Sequence, residues 1–144
     1  MPVIVVGADT PLGRRIVDAL YEPDREIRAF VSDVGTAEEL RTMGVKVALG
    51  DVSDASHVSG AALRCFSAVL VTEAASDARE RSFARSVDAV LDGWVEAVSE
   101  AGVTRVIWVG EGERDVPGTE WVSVDASAED AAARVVALDD VADL

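Results

Sequence analysis

The sequence predicts an α/β fold, a three-layer doubly wound parallel sheet of five to six strands that forms a single domain over residues 1–144. Short aliphatic runs alternate with helical patterns along the chain, and this alternation is typical of βαβ units, which build parallel sheets covered by helices on both faces. The first run, Val3–Val6, is apolar at every position, as expected of a strand buried on both sides. A length of 144 residues suits one domain with its own core.

Glycine and proline delimit the first elements. Gly7 ends the first strand, and a helix is predicted over residues 11–21. Pro23 follows that helix, and residues 27–31 are predicted as the second strand. Further along the chain, the pattern predicts strands over 45–49, 67–72, 106–109 and 120–124, and helices over 54–64 and 126–138.

Capping signals predict the limits of two other helices. Thr36 and Glu39 have the spacing of a capping box, which predicts a helix start at Thr36, and Gly44 suits the left-handed position that ends such a helix. The longest helix is predicted over residues 83–101, with Gly102 ending it. Its apolar residues recur at helical spacing, and they are Phe83, Val87, Val90, Leu91, Trp94, Val95 and Val98.

Charge and composition exclude several classes of partner. The net charge is −14, from 27 acidic and 13 basic residues, and such a field repels nucleic-acid phosphates and anionic lipid. No apolar run reaches the roughly 18 residues of a membrane span, and the first residues lack the basic segment of a signal peptide. We therefore expect a cytoplasmic protein that binds neither nucleic acid nor membranes. With Cys65 as the one cysteine, an intrachain disulfide is excluded and a buried, unreactive thiol is expected.

A glycine-containing turn, residues 7–13 (GADTPLG), joins the first strand to the first helix. Gly7 lets the chain turn sharply, and Gly13 lets the helix pack closely on the strand. The helix start offers unpaired N–H groups and the positive end of the helix dipole, and both attract a pyrophosphate. The turn therefore predicts a dinucleotide site.

The stretch VIVVGADTPLGRRIVDAL resembles the opening of the atypical and extended short-chain dehydrogenases/reductases, including the NmrA-like proteins, whose motif after the first strand is GxxGxxG. Gly7 and Gly13 match the first and third glycines. The segments IRAFVSD, VKVALGDVSD, SAVLVT and SEAGVTRVIWVG resemble later parts of the family in the same order, so the likeness covers about residues 3–110. It implies a Rossmann-type NAD(P)-binding domain. The cofactor-binding residues that it implies are Gly7, Asp9, Thr10, Pro11, Leu12, Gly13, Ser32, Asp33, Asp51, Val52 and Thr72. In the family, the aspartate of the Gly-Asp pair after the third strand, here Asp51, typically lies near the adenine.

Two departures from the family bear on the cofactor. Thr10 replaces the second glycine, so it either obstructs the pyrophosphate, which would leave no cofactor bound, or donates its hydroxyl to a phosphate. Ser32 stands where NmrA-like relatives often carry an arginine for the 2′-phosphate of NADP, whereas Asp33 has the spacing of an acid that binds the ribose of NAD. We therefore expect NAD in preference to NADP, with Arg14 as the residue that would favour NADP.

The third departure concerns catalysis. The family's reductases use a Tyr-x-x-x-Lys pair, in which the tyrosine transfers a proton and the lysine lowers its pKa. Here the one tyrosine, Tyr21, and the one lysine, Lys46, are 25 positions apart. Residues 110–112 (GEG) follow the fifth strand, where a serine or threonine usually assists. Proton transfer by the family's mechanism therefore lacks its acid.

Other titratable residues follow strand ends, where open α/β sheets bind ligands. Glu73, Glu111, Glu113 and Asp115 are such residues, and they form either a general-base or hard-metal site or an ordinary solvated acidic loop. The only histidine, His57, is expected to be exposed near a helix start.

The helix over 83–101 also has an apolar face broad enough for core packing or for a homodimer contact. Trp94 on this helix and Trp108 in the fifth strand are expected in the core or at such an interface.

Three functions remain open, because a fold alone does not choose among them. The first is a noncatalytic NAD(P)-binding or regulatory module, which the presence of Gly7, Gly13 and Asp51 together favours. The second is a truncated reductase or epimerase with altered chemistry that uses Glu111 or Asp115. The third is an interaction or assembly subunit that has lost dinucleotide binding.

Overall fold

A computed structural model describes residues 1–77, 79 and 81–144 of the chain. The strands are β1 (Val3–Val6), β2 (Ile27–Val31), β3 (Lys46–Leu49), β4 (Ser67–Val71), β5 (Arg105–Val109) and β6 (Glu120–Val124). The helices are α1 (Pro11–Leu20), α2 (Val34–Thr42), α3 (Ala55–Ala62), α4 (Glu73–Ser76), α5 (Val87–Ala101) and α6 (Ala131–Asp140). None of the helices in the described residues has the length and apolar character needed to cross a bilayer.

The six strands form one parallel sheet in the order β3-β2-β1-β4-β5-β6. In the centre, Val5 of β1 pairs with Ala29 of β2 on one side and with Val69 of β4 on the other. The predicted doubly wound parallel sheet of five to six strands is therefore confirmed. The strand order reverses between β1 and β4, and in open α/β sheets ligands bind outside the carboxyl ends of the strands at this point.

Side chains of the central strands alternate between two cores, one on each face of the sheet. Val3 and Val5 of β1 pack with α1, α2 and α6, whereas Ile4 and Val6 pack with α3 and α5. Because both faces are covered, all four β1 residues are fully buried, which explains the continuous apolar run. Trp94 and Trp108 are also fully buried, so both are core residues.

The predicted start of α2 at Thr36 is wrong. The helix begins at Val34, because the Asp33 carboxylate is its N-cap and accepts hydrogen bonds from the Thr36 amide and hydroxyl, both at 2.8 Å. Thr36 thus donates to a cap instead of being one. The predicted C-terminal glycine is confirmed, since Gly44 has a φ of +92°.

The predicted start of the longest helix at residue 83 is also wrong. Helix α5 begins at Val87, after Ser86, whose Oγ accepts a hydrogen bond from the Ala89 amide at 3.1 Å. Phe83 lies before the helix, and its side chain is 67% exposed. Gly102 ends α5 in the left-handed conformation, with a φ of 76°, as expected.

Two other helices are shorter than predicted. Helix α6 begins at Ala131 rather than at residue 126, because Asp125 accepts hydrogen bonds from the Ser127 amide and hydroxyl and holds a turn there. Helix α3 covers 55–62 rather than 54–64, with Asp54 as its N-cap. The short helix α4 was not predicted, and the remaining limits agree within two residues.

The fully buried Arg105 holds the C-terminal segment on the sheet. Its guanidinium donates to Glu120 Oε1 at 2.7 Å and to the carbonyl oxygens of Leu138, Val141 and Ala142. These bonds satisfy a charge that would be costly to bury without them. Arg105 lies at the amino end of β5, so its role is structural.

Candidate functional site

The turn between β1 and α1 needs glycine at two positions. Gly7 has a φ of +87°, and a Cβ there would lie 2.8 Å from the Cβ of Ala74. A Cβ on Gly13 would lie 2.0 Å from the carbonyl oxygen of Gly7. Helix α1 therefore starts in direct backbone contact with the end of β1, which is the arrangement predicted from the two glycines.

Thr10 occupies the middle of this turn as the N-cap of α1. Its side chain is almost fully buried, donates to the Gly7 carbonyl oxygen at 2.7 Å and accepts from the Gly13 amide at 3.0 Å. The hydroxyl therefore has two internal partners, and its proton is directed away from the mouth of the helix.

The first turn of α1 has few amides free for a ligand. Pro11 at the first helical position has no N–H, and the Gly13 amide is bonded to Thr10. The Leu12 amide has no acceptor among the described residues. The helix mouth thus offers a phosphate one amide from the first three helical residues, together with the helix dipole.

Asp9 connects the turn to the end of β2. Its side chain is only 4% exposed, and Oδ2 accepts hydrogen bonds from the Ser32 amide at 2.8 Å and the Asp33 amide at 3.2 Å. Oδ1 accepts from Arg79 Nη1 at 2.7 Å. Asp9, Ser32 and Asp33, which were predicted separately, therefore lie together at the carboxyl edge of β1 and β2.

Asp33 remains exposed beside this cluster while it caps α2. The hydrogen bonds from the Thr36 amide and hydroxyl lower the pKa of its carboxyl below the ordinary value. Asp33 is therefore ionised at neutral pH and can accept a hydrogen bond from a ribose hydroxyl.

Asp51 follows β3 and also has several donors. Oδ1 accepts from the Ser53 amide at 2.8 Å and hydroxyl at 2.6 Å, and Oδ2 accepts from the Ser82 amide at 2.7 Å. Burial alone would raise the pKa of Asp51, but these hydrogen bonds lower it below the ordinary value. The next residue, Val52, is fully buried, and its carbonyl oxygen accepts from Trp94 Nε1 at 2.7 Å.

The other side of the switch point contains an open cleft of about 500 Å³. Thr72 lies at its wall, almost fully buried, and its hydroxyl donates to the Val109 carbonyl oxygen at 3.2 Å. The cleft is lined by Leu12, Val71, Thr72, Glu73, Ser76, Val87, Val109, Gly110, Glu111, Gly112 and Ala126. Leu12, whose amide is available to a ligand, thus connects the glycine turn to this mostly apolar space.

The protein-family model described as NAD(P)H-binding matches residues 7–136 of the chain. The chain belongs to this NAD(P)H-binding family. The match begins at Gly7 and extends into α6, so it includes every residue that the sequence predicted for the cofactor. The predicted likeness to short-chain reductases is thereby confirmed at the level of the family.

Solved structures share the fold of this family member. Triphenylmethane reductase from Citrobacter sp., complexed with NADP(H), has 19% identity and a TM-score of 0.63, covering 96% of this chain and 46% of that one. Anaerobilin reductase from Escherichia coli O157:H7 has 26% identity and a TM-score of 0.57, covering 76% of this chain and 50% of that one. The NADPH complex of a quinone oxidoreductase from Escherichia coli has 20% identity and a TM-score of 0.61, covering 75% of this chain and 36% of that one. The chain thus spans half or less of the length of these enzymes. No curated protein sequence matches the chain closely enough to count as a relative.

The tyrosine and lysine of this family member lie far from the crevice. Helix α1 starts at the carboxyl edge of the sheet and runs back to the amino edge, where it ends at Leu20 with Tyr21 as its C-cap. Lys46 begins β3 at the same amino edge and forms an ion pair with Glu26 at 2.9 Å. Neither side chain therefore lies at the end of the sheet where the glycine turn is found.

The carboxylates after β4 and β5 are only partly brought together. Glu73 and Glu111 both line the apolar cleft, whereas Asp115 accepts a hydrogen bond from Trp121 and Glu113 lies in a neighbouring depression. Among residues 1–77, 79 and 81–144, no group of three or more His, Cys, Asp or Glu side chains is placed to hold a metal ion.

The lone histidine and cysteine lie where the sequence predicts. His57 is exposed, and its ring packs edge-on against the ring of Phe30, with 5.0 Å between the two ring centroids. Cys65 is buried, and this burial raises the pKa of its thiol.

The sequence did not indicate that residues after α4 reach Asp9, Ser32 and Asp51, three of the residues predicted for the cofactor. Arg79 contacts Asp9 and Ser32, and Ser82 contacts Asp51. We call Arg79 together with residues 81–83 the crossing segment, because it extends from the β4 side of the switch point to the end of β3. No motif marks these contacts, which join residues up to 70 positions apart.

Proposed function

We propose that this domain binds a nicotinamide dinucleotide at the carboxyl edge of its sheet, prefers NAD to NADP, and acts as a binding or regulatory module without reductase chemistry. The observation that carries the proposal is the glycine turn. A Cβ at Gly13 would approach the Gly7 carbonyl to 2.0 Å, so the chain keeps the close contact that sets the α1 N-terminus, with the available Leu12 amide, beside the switch point.

The charges at the end of β2 support a preference for NAD. The carboxylates of Asp9, Asp33 and Asp77 lie in one depression with the guanidinium of Arg79. Asp9 and Asp77 both pair with Arg79, at 2.7 and 2.5 Å, so its charge is already compensated. A 2′-phosphate would bring further negative charge to this group, whereas a 2′-hydroxyl can donate to the Asp33 carboxylate.

The positions of Tyr21 and Lys46 support a noncatalytic role for this domain. Both lie at the amino edge of the sheet, and residues 110–112 after β5 provide Glu111 between two glycines. Among the residues that line the cleft, Glu73 and Glu111 are the exposed carboxylates that could supply a proton there. Their participation is the altered reductase or epimerase chemistry that remains the main alternative.

Calorimetric titration of the pure protein with NAD⁺, NADH, NADP⁺ and NADPH tests the proposal. We expect binding of NAD⁺ or NADH to be tighter than binding of the phosphorylated forms. Asp33→Asn should reduce the preference for NAD by several-fold, because it removes the charge that accepts the ribose hydroxyl and repels the phosphate. Asp125→Asn is the matched control, since Asp125 accepts the same pair of bonds, from the Ser127 amide and hydroxyl, away from β2.

Two results would contradict the proposal. If none of the four dinucleotides binds at millimolar concentration, the interaction-subunit alternative is favoured, and the missing N–H of Pro11 and the Thr10 cap explain the loss. If the protein turns over a carbonyl or sugar-nucleotide substrate with NAD(P)H, the noncatalytic role is wrong. A Glu111→Gln variant then tests whether the carboxylate in the cleft transfers the proton.

The homodimer through the helix predicted over 83–101 stays a prediction. The exposed side of α5 carries Asp88, Asp92, Glu96 and Glu100 at intervals of four residues, and two such faces would repel each other. If this helix does form the contact, light scattering should show more dimer at high salt than at low salt, because salt screens the repulsion.

A further inference from the structure

The crossing segment makes hydrogen bonds to three residues that the sequence predicts for the cofactor, and two of them, Ser32 and Asp51, belong to the adenosine half of a dinucleotide. Arg79 Nη1 donates to Asp9 Oδ1 at 2.7 Å and to Ser32 Oγ at 3.2 Å. The Ser82 amide donates to Asp51 Oδ2 at 2.7 Å. Asp9, Ser32 and Asp51 follow three different strands, β1, β2 and β3, so one segment contacts a residue after each of these strands.

A fourth bond fixes the end of this segment. The Phe83 amide donates to Ser53 Oγ at 3.0 Å, and the same hydroxyl donates to Asp51 Oδ1 at 2.6 Å. The segment thus ends in a bonded group of Asp51, Ser53 and two backbone amides. These contacts lie on the β3 side of the switch point, whereas the apolar cleft lies on the β4 side.

Arg79 is the only side chain that joins the segment to the glycine turn in the described residues. Its Nε also donates to Asp77 Oδ1 at 2.8 Å. Arg79 therefore bridges two carboxylates, that of Asp77 after α4 and that of Asp9 in the turn. Burial and its two carboxylates act on the guanidinium in opposite directions, and the pKa of Arg79 is raised, so it stays charged.

We infer that the crossing segment is an internal occupant of the adenosine subsite, held by the Arg79–Asp9 ion pair, and that a dinucleotide binds only after displacing it. This inference rests on the proposed function. The ribose hydroxyls and the adenine amino group are donors, and they compete with Arg79 and the Ser82 amide for Asp9 and Asp51. The domain therefore exchanges between a closed form and an open form that accepts the ligand.

Such an occupant lowers apparent affinity without changing the contacts of the bound state. When only a fraction of the molecules is open, the apparent Kd equals the intrinsic Kd divided by that fraction. A change that weakens the Arg79–Asp9 pair raises the open fraction and tightens binding. The affinity of the domain is thus set by its own segment as well as by the ligand.

Arg79→Ala tests the inference, with Arg114→Ala as the matched control. Arg114 also follows a strand and pairs with two aspartates, Asp88 at 3.1 Å and Asp92 at 2.7 Å, but it lies away from the β1–β3 edge. Calorimetry with NAD⁺ and NADH should show about fivefold or greater tightening for Arg79→Ala. Arg114→Ala should bind as the unchanged protein does.

Hydrogen exchange at the Ser82 and Phe83 amides gives a second test, which does not depend on measuring a Kd. In the unliganded protein both amides are bonded to side chains, so their exchange should be slow. We expect faster exchange after Arg79→Ala, and faster exchange in the unchanged protein once NAD⁺ is added to saturation.

The outcomes separate this inference from the proposed function. If the unchanged protein binds NAD⁺ and Arg79→Ala binds it equally or more weakly, Arg79 is not a closing contact, and the inference fails while the proposed function stands. The inference also fails, and the proposed function stands, if Arg79→Ala weakens binding of NADP⁺ alone or if hydrogen exchange at the Ser82 and Phe83 amides stays slow after NAD⁺ is added. If neither protein binds any dinucleotide, both are overturned.

Discussion

The indole N–H of Trp94 donates to the carbonyl oxygen of Val52 across 2.7 Å. This bond connects the middle of α5 to the turn after β3, which contains Asp51. Both Trp94 and Val52 are fully buried, so water cannot replace either partner. The bond therefore fixes the backbone next to Asp51, where the proposed adenosine subsite lies.

Trp94→Phe should destabilise the fold by about 1–3 kcal/mol, because it leaves the Val52 carbonyl without a donor and removes part of a buried ring. Urea unfolding measures the change. Trp121→Phe is the control, since Trp121 is 36% exposed and its indole N–H donates to the exposed Asp115, and it should change stability by less than about 0.5 kcal/mol. Equal losses in the two variants would show that the Trp94 bond is unimportant.

Gly13→Ala should cost about 2 kcal/mol or more, because the new Cβ would meet the Gly7 carbonyl and force α1 away from β1. The matched control is Gly60→Ala in α3, where a Cβ would meet nothing within 4 Å. That change should stabilise the protein by about 0.5–1 kcal/mol through helix propensity. Similar unfolding midpoints for the two variants would contradict the close contact of the turn.

Thr10→Gly should tighten dinucleotide binding by about fivefold, because it releases the Gly13 amide, which now donates to Thr10 Oγ1, to bond a phosphate oxygen. The loss of the cap should lower stability by only a few tenths of a kcal/mol. Ser86→Gly removes the same kind of cap from α5 and should leave affinity unchanged. Weaker binding by Thr10→Gly would instead indicate that the threonine itself contacts the ligand.

Acid should destabilise the domain through Asp51. Its folded-state pKa lies below the ordinary value of 3.8, so the charged form is the one that folding stabilises. The resulting stability is fully present above pH 4 and is lost as the pH falls through the lowered pKa. The free energy of unfolding should therefore fall less steeply below pH 4 in Asp51→Asn than in the unchanged protein.

The control for this pH series is Asp24→Asn, since Asp24 makes no hydrogen bond or ion pair within the part of the chain that the structure describes. It should reproduce the acid sensitivity of the unchanged protein. If Asp51→Asn reproduces it as well, the Ser53 and Ser82 bonds do not stabilise the charged form.

The strands follow from the sequence, but the starts of α2, α5 and α6 do not. Phe83 is four residues before Val87 and so continues the helical spacing, yet the Ser86 side chain caps the Ala89 amide and ends that continuation. Periodicity therefore extends a helix past its cap whenever an apolar residue lies one turn upstream.

At α2, two residues that are both good caps stand three positions apart. Asp33 becomes the cap because its carboxylate accepts from both the amide and the hydroxyl of Thr36, and a charged acceptor forms the stronger bonds. The capping-box spacing of Thr36 and Glu39 favours the later start, and the stronger acceptor at Asp33 overrides it.

In the candidate site, local contacts could likewise be predicted from the sequence, whereas long-range contacts could not. Local spacing predicts that Gly7 and Gly13 bring α1 against β1, because the contact involves neighbouring residues and one turn. The contact of Arg79 with Asp9 spans 70 positions, and nothing in the spacing of either residue indicates its partner. Contacts of this kind depend on the course of a whole loop, which the sequence pattern leaves undetermined.

The crossing segment contacts only the β1–β3 side of the switch point. The two halves of a dinucleotide would therefore differ in whether their binding requires displacement of the segment. On this inference, adenosine monophosphate would have to compete with Arg79 and Ser82, whereas nicotinamide mononucleotide would bind in the cleft beside Leu12 and Glu111 without breaking any of the four bonds. Small planar compounds that resemble the nicotinamide ring would therefore bind independently of the Arg79–Asp9 ion pair. In a fragment screen, the β4 side of this domain would give hits first.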